Sequence, residues 1–121
     1  MQAPIVFGIP NCDQVRKART WLAEHGIAYR FHDLRKDGID RALIEHWIAR
    51  VPWETLVNCK GTTWRGLNEE QKRTAAKLDG AIALMLEHPS VIKRPVIEFD
   101  DQVSVGADAA MLGRIQARLT P

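Results

Sequence analysis

Apolar and polar residues along this chain follow two different rhythms. Ile5-Val-Phe-Gly-Ile9 is a short apolar run, rich in β-branched and aromatic side chains, and predicts a buried strand. Pro10-Asn11-Cys12-Asp13 carries turn chemistry. Val15, Ala18 and Leu22, with Trp21 beside them, recur at helical spacing up to Gly26, a natural residue just past a helix end. Ile27, Tyr29 and Phe31 then alternate with Ala28, Arg30 and His32, the period of a half-exposed strand, and Lys36-Asp37-Gly38 makes a turn. Strand, helix and strand at these lengths predict a βαβ unit with parallel strands and a right-handed crossover.

The middle of the chain is helical in character. Asp40 is placed to cap a helix whose apolar face is Leu43, Ile44, Trp47, Ile48 and Val51, interrupted by Pro52. Asn68-Glu-Glu-Gln reads as an N-cap with acids in the first turn, followed by Ala75, Ala76 and Leu78. Asp79 reads as the cap of Ala81-Ile-Ala-Leu-Met-Leu86, closed by Pro89. Only residues 58–67 read as loop. Val96-Ile-Glu-Phe99 and Gln102-Val-Ser-Val-Gly106, joined by Asp100-Asp101, predict an antiparallel hairpin. Asp108 then caps a last helix with Met111, Leu112, Ile115 and Leu119 inward. The expected fold is α/β and thioredoxin-like, in the order βαβ, helical insert, ββα, with a mixed four-stranded sheet. One domain is expected over residues 1–121, with the insert at about 40–88, since no repeat, low-complexity stretch or linker divides the chain.

Composition narrows the function classes. Seventeen lysines and arginines against 15 acids give a net charge of +2, too balanced for a nucleic-acid coat or a polybasic membrane anchor. No apolar run approaches the ~20 residues of a membrane span. The start, Met1-Gln-Ala-Pro-Ile-Val-Phe, lacks the pattern of a signal peptide. A cytoplasmic, reducing setting is therefore expected, and there two cysteines make free thiols rather than a disulfide scaffold.

Cys12 stands between a buried strand and the first turn of a helix. Unpaired N–H groups and the positive end of the helix dipole favour a negative sulfur there, and a thiolate is the nucleophilic form. Arg16 and Lys17, one turn further on, add positive charge. The alternative is a small buried apolar cysteine. Val15 occupies the place of a second cysteine in a Cys-x-x-Cys motif, so no internal dithiol forms at this helix. Cys59 reads as an idle loop thiol, because nothing in the sequence places it within bridging distance of Cys12; a thiol that approaches Cys12 is the alternative. Arg94-Pro95 leads into the third strand, where a cis bond would leave Arg94 to hold an anion; a strand-edge proline with a solvated arginine is the other reading. Lys60 and Arg65 lie in a Gly/Thr-rich loop able to hold an oxyanion or carboxylate. His25, His32, His46 and His88 show no metal-ligand spacing and are assigned to surfaces and caps, and no metal site is expected. Trp21 and Trp47 fit helix core faces, and Trp53 and Trp64, which flank the cationic loop, are assigned to core with a pocket wall as the alternative.

Gly8-Ile-Pro-Asn-Cys12-Asp, Lys17-Ala-Arg19 and Trp21-Leu22 resemble the active-site helix of the ArsC/Spx family, most closely its YffB-like branch. Tyr29-Arg-Phe-His-Asp33, Gly61-Thr-Thr-Trp-Arg65 and Ile92-Lys-Arg-Pro95 resemble that branch's other motifs in the same order, so the likeness runs from Ile5 to about Leu119. The resemblance implies a thioredoxin-like fold and a single nucleophilic cysteine at Cys12, with Asn11 beside it. It implies an oxyanion held by Arg94, with Lys60 near the place of a second family arginine, and Pro95 as the family's cis-proline; Arg65 and Asn11 complete the expected anion-binding set. It departs from the arsenate reductases in having no arginine in residues 102–106, and in carrying Asp13-Gln14 after the cysteine.

The function expected is a glutathione-dependent thiol–disulfide oxidoreductase. It would use glutathione as co-substrate, a small oxyanion or disulfide as substrate and glutaredoxin as a candidate partner. No tightly bound cofactor is expected, nor binding to nucleic acid or membrane, and the chain is expected to be a monomer. A glutaredoxin-coupled arsenate reductase and an Spx-like regulator of RNA polymerase are the alternatives.

Overall fold

A computed structural model describes residues 3–119; Met1, Gln2, Thr120 and Pro121, the ends of the one-domain reading, lie outside them. The chain divides into two compact units, Met1–Asp37 with Arg94–Pro121, and Gly38–Lys93. The insert expected at about 40–88 falls inside the second. No helix among the described residues is long and apolar enough to cross a membrane.

The first unit is built on a sheet in the order β2-β1-β3-β4, formed by β1 (Ile5–Gly8), β2 (Arg30–Asp33), β3 (Val96–Phe99) and β4 (Gln102–Val105). β1 and β2 are parallel, as the βαβ reading requires, while β3 is antiparallel to both β1 and β4. The intervening helix α1 (Asp13–Glu24) buries Val15, Ala18 and Leu22. Its end explains why the following strand starts late. The Ile27 amide donates to the Leu22 carbonyl and the Gly26 amide to that of Ala23, with Gly26 at φ +68°. That is a Schellman closure, whose usual apolar contact is made by Ile27 and Leu22 in one core cluster. Ile27 and Tyr29 thus keep the alternation expected of a strand, but ladder pairing begins only at Arg30.

Asp100 and Asp101 form a two-residue hairpin loop with φ of 52° and 62°, the left-handed pair that matches strand twist. The Asp108 carboxylate accepts from the amides of Ala110 and Met111 and so caps α6 (Ala109–Leu119). Val6, Ile97 and Phe99 of the sheet pack with Ala18, Leu22, Met111, Leu112 and Ile115 of the two helices. Arg19 of α1 donates to the Tyr29 hydroxyl at 3.0 Å, and its guanidinium lies 4.1 Å from the Phe31 ring centroid. The second unit contains α2 (Arg41–Ile48), α3 (Thr62–Arg65), α4 (Glu69–Thr74) and α5 (Leu78–Glu87), with 3₁₀ turns at Trp53–Leu56 and Pro89–Val91.

Several expectations for this second unit need correction. Residues 58–67 are not all loop, because Gly61 opens the single turn of α3. The helix begun by Asn68, with its reciprocal capping box to Gln71, stops at Thr74 instead of running on through Leu78. Gly80 sits against that end: a Cβ there would lie 1.9 Å from the Thr74 carbonyl oxygen. Asp79 is not a cap. It falls within the first turn of α5, whose N-cap is Lys77, and its carboxylate pairs with Arg41 at 3.2 Å. Hydrogen bonds to Asp79 and then Glu45 raise the Arg41 guanidinium pKa above its ordinary value. Trp47 is buried as expected, whereas Trp21, Trp53 and Trp64 are only half-buried.

Candidate functional site

Topology gathers the first group of candidate residues at one edge of the sheet. β1 ends at Gly8 and the chain turns through Ile9, Pro10 and Asn11 before entering α1 at Asp13. Gly8 is required by this route, since a Cβ there would meet Val15 Cγ2 at 2.5 Å. The strand end and the helix therefore approach more closely than any other residue permits. β3 runs past in the opposite sense. The pairing ends at Phe7–Val96, so Gly8, the last residue of β1, and Pro95, the residue before β3, lie at the same end of the sheet. The Arg94–Pro95 bond is cis, and the Pro95 carbonyl accepts from the Gly106 amide at 2.7 Å. Asn11, Cys12, Arg94 and Pro95 thus share the edge where β1 ends and β3 begins.

Cys12 is the N-cap residue of α1, with extended backbone (φ −115°, ψ 127°) and a carbonyl that accepts from the Arg16 amide at 2.9 Å. Its side chain makes no capping hydrogen bond, and the residue is half-buried rather than sealed in the core. The first N–H groups of a twelve-residue helix have no partner within the helix and carry its positive dipole end, and Cys12 stands at that end. Arg16 contributes less positive potential than its position promised, because its guanidinium is paired with Asp13. Lys17 remains exposed. Val15, in the place of a second motif cysteine, is fully buried against Gly8.

Lys60, Arg65 and Cys59 belong to the second unit. Asn58 organises this stretch: its side-chain oxygen accepts from the Lys60 amide at 3.1 Å and its carbonyl from the Gly61 amide at 3.3 Å. Lys60 and Arg65 are exposed, on either side of the α3 turn. Cys59 is exposed, with its sulfur 4.0 Å from the Val57 carbonyl oxygen. Among the described residues no three of His, Cys, Asp and Glu gather to hold a metal.

Sequence reasoning missed two features of the first unit. One is the Arg19–Tyr29–Phe31 stack, which gives motif residues 17–19 and 29–33 a structural role in fastening α1 to β2. The other is an open groove between α1 and α6, foreshadowed only by the small residues Ala109 and Gly113, four apart on the last helix.

The profile of the ArsC family matches residues 7–115. A Haemophilus influenzae protein described only as uncharacterized is 42% identical over 101 residues, covering 84% of this chain and 88% of that one. The global transcriptional regulator Spx of Streptococcus pyogenes is 22% identical over 103 residues, 84% of this chain and 75% of its own. Among solved structures, a protein named YFFB superposes with a TM-score of 0.85 at 44% identity, covering 94% of this chain and 99% of that one. An arsenate reductase (ArsC) related protein from Brucella melitensis gives a TM-score of 0.74 at 42% identity, with 93% of each chain covered. The thioredoxin-like fold read from the residue pattern is the fold of these neighbours.

Proposed function

The chain belongs to the ArsC family, and on that premise we propose that it is a glutathione-dependent thiol–disulfide oxidoreductase acting through Cys12 alone. One observation carries the reading: a half-buried cysteine caps a twelve-residue helix at the sheet edge that also holds Arg94 and a cis proline. Cys12 attacks as thiolate one sulfur of a mixed disulfide between glutathione and a second thiol compound. A bond forms between the Cys12 sulfur and the glutathione sulfur as the original S–S bond breaks. The electron pair leaves with the other thiolate, which takes a proton from water. A second glutathione thiolate then attacks the glutathione sulfur of the adduct, releasing oxidised glutathione and regenerating Cys12 thiolate. The helix start favours that thiolate both as attacking and as leaving group. Arg94 supplies a guanidinium for a glutathione carboxylate, Asn11 offers a neutral hydrogen-bonding side chain, and Pro95 aligns the peptide backbone of the ligand.

The family relationship and the description of the Brucella relative favour arsenate reduction as the second reading. The same edge would serve, with Arg94 holding the oxyanion, but residues 102–106 add no further arginine. The Spx relative raises a regulatory role as well. Burial of Val15 weighs against a redox switch at this helix, since that position faces the core. Intact-mass analysis after incubation with oxidised glutathione tests the proposal. One added glutathione is expected on the unaltered chain and on Cys59→Ala, and none on Cys12→Ala. An adduct that survives Cys12→Ala and disappears from Cys59→Ala would overturn it.

A further inference from the structure

The groove between α1 and α6 encloses about 810 Å³, within the range of ligand-binding clefts. Its near end is formed by Asp13, the residue after Cys12, and by Ala107, the residue after the Gly106 whose amide bonds the Pro95 carbonyl. From there it follows α1 to Glu24. Trp21 and Leu112 make an apolar wall, and Ala109 and Gly113 leave it open. Two charges punctuate it. Lys17 and Glu24 line the groove, and among the described residues neither pairs with an opposite charge, whereas Arg16 is held by Asp13. Glu24 also sits in the last turn of α1, the negative end of the helix dipole, where a carboxylate is unfavourable and helix stability gives no reason for it.

We propose that this groove binds an extended polypeptide segment flanking the reactive cysteine of a protein disulfide partner, a substrate class that rests on the Cys12 chemistry proposed above. The length argues for a peptide over glutathione alone. At 1.5 Å per helical residue, Lys17 lies about 7.5 Å and Glu24 about 18 Å along α1 from Cys12. Three residues of glutathione, with the sulfur at Cys12, fall short of Glu24. An extended chain at about 3.3 Å per residue covers the distance with five or six residues. Alternate side chains of such a segment point to one face. An acidic residue two places from its cysteine therefore meets Lys17, an apolar residue at four meets Trp21 and Leu112, and a basic residue at six meets Glu24.

The test uses the full chain with Cys59→Ser as background and peptides whose cysteine carries a thionitrobenzoate leaving group. Cys12 thiolate bonds to the peptide sulfur, the sulfur–sulfur bond to thionitrobenzoate breaks, and the coloured thiolate departs with the electron pair. Peptides with the acidic–apolar–basic pattern, placed before or after the cysteine, are compared with charge-reversed versions and with glutathione activated in the same way. In one of the two placements the patterned peptide is expected to react about fivefold to tenfold faster than its reversed version. The double variant Lys17→Glu with Glu24→Lys is expected to invert that ratio. It improves the charge match to the α1 dipole, so the fold is not put at risk. Gly113→Leu, whose Cβ enters open space, is expected to bring the ratio towards unity by filling the groove. Equal rates for patterned and reversed peptides in both placements overturn the groove assignment while fast reaction with activated glutathione upholds the chemistry at Cys12. Activated glutathione reacting no faster than with a free cysteine overturns the underlying reading instead.

Discussion

Cys12 and Cys59 are the same residue in opposite settings. Cys12 follows a strand whose Val6, Phe7 and Gly8 are buried, and it caps a helix of twelve residues. Cys59 lies two residues past Val57 on an exposed turn, ahead of a helical turn of four residues that Gly61, not the cysteine, caps. Exposure alone would make Cys59 the more reactive thiol. A reactive thiol also needs its anion stabilised, and that takes aligned, unpartnered N–H groups on a rigid base. Of the two settings only the first places a cysteine at the start of a long helix, which is why the proposed reaction runs through Cys12.

The largest effect expected follows directly from this contrast. In turnover of a glutathione mixed disulfide, Cys12→Ser should lower the rate at least about a hundredfold, and Cys59→Ser should change it by less than about twofold. Equal losses would break the comparison.

The two glycines beneath the cysteines offer a measure of rigidity. Gly8→Ala forces a Cβ to 2.5 Å from a buried Val15 methyl and should cost about 1–3 kcal/mol in urea denaturation. Gly61→Ala meets the end of the half-exposed Asn58 side chain at 2.9 Å, which gives way by loosening its exposed bond to the Lys60 amide, and should cost about 1 kcal/mol at most.

Substituting a cation sharpens the contrast further. Arg94→Ala should slow adduct formation with oxidised glutathione about tenfold through loss of a charge-assisted hydrogen bond. The smallest expected effect is at Asp13, whose carboxylate stands next to the attacking residue of the proposed reaction and occupies Arg16. Asp13→Asn should raise the alkylation rate of Cys12 by about twofold.

Much of this was legible in local residue chemistry. Asp40, Asn68 and Asp108 mark helix starts because a side-chain oxygen satisfies amides within three residues of it. Gly26 marks a helix end and Asp100-Asp101 a two-residue turn for reasons equally local. The position of Cys12 at the start of α1 was readable in the same way. Asp79 was misread because its nearest amides suggested a cap, while its carboxylate is engaged by Arg41, thirty-eight residues away in sequence.

By itself, the order of residues determined most of the elements, their succession and the place of Cys12 at a helix start, since each depends on neighbours along the chain. Tertiary structure alone decided that Arg94 and Pro95 enter β3 at the sheet end where β1 gives way to the Cys12 turn, that Val15 faces Gly8, and that α1 and α6 leave a groove between them. Those relations depend on strand register and helix packing, in which residues far apart in sequence meet. No local pattern records such a meeting.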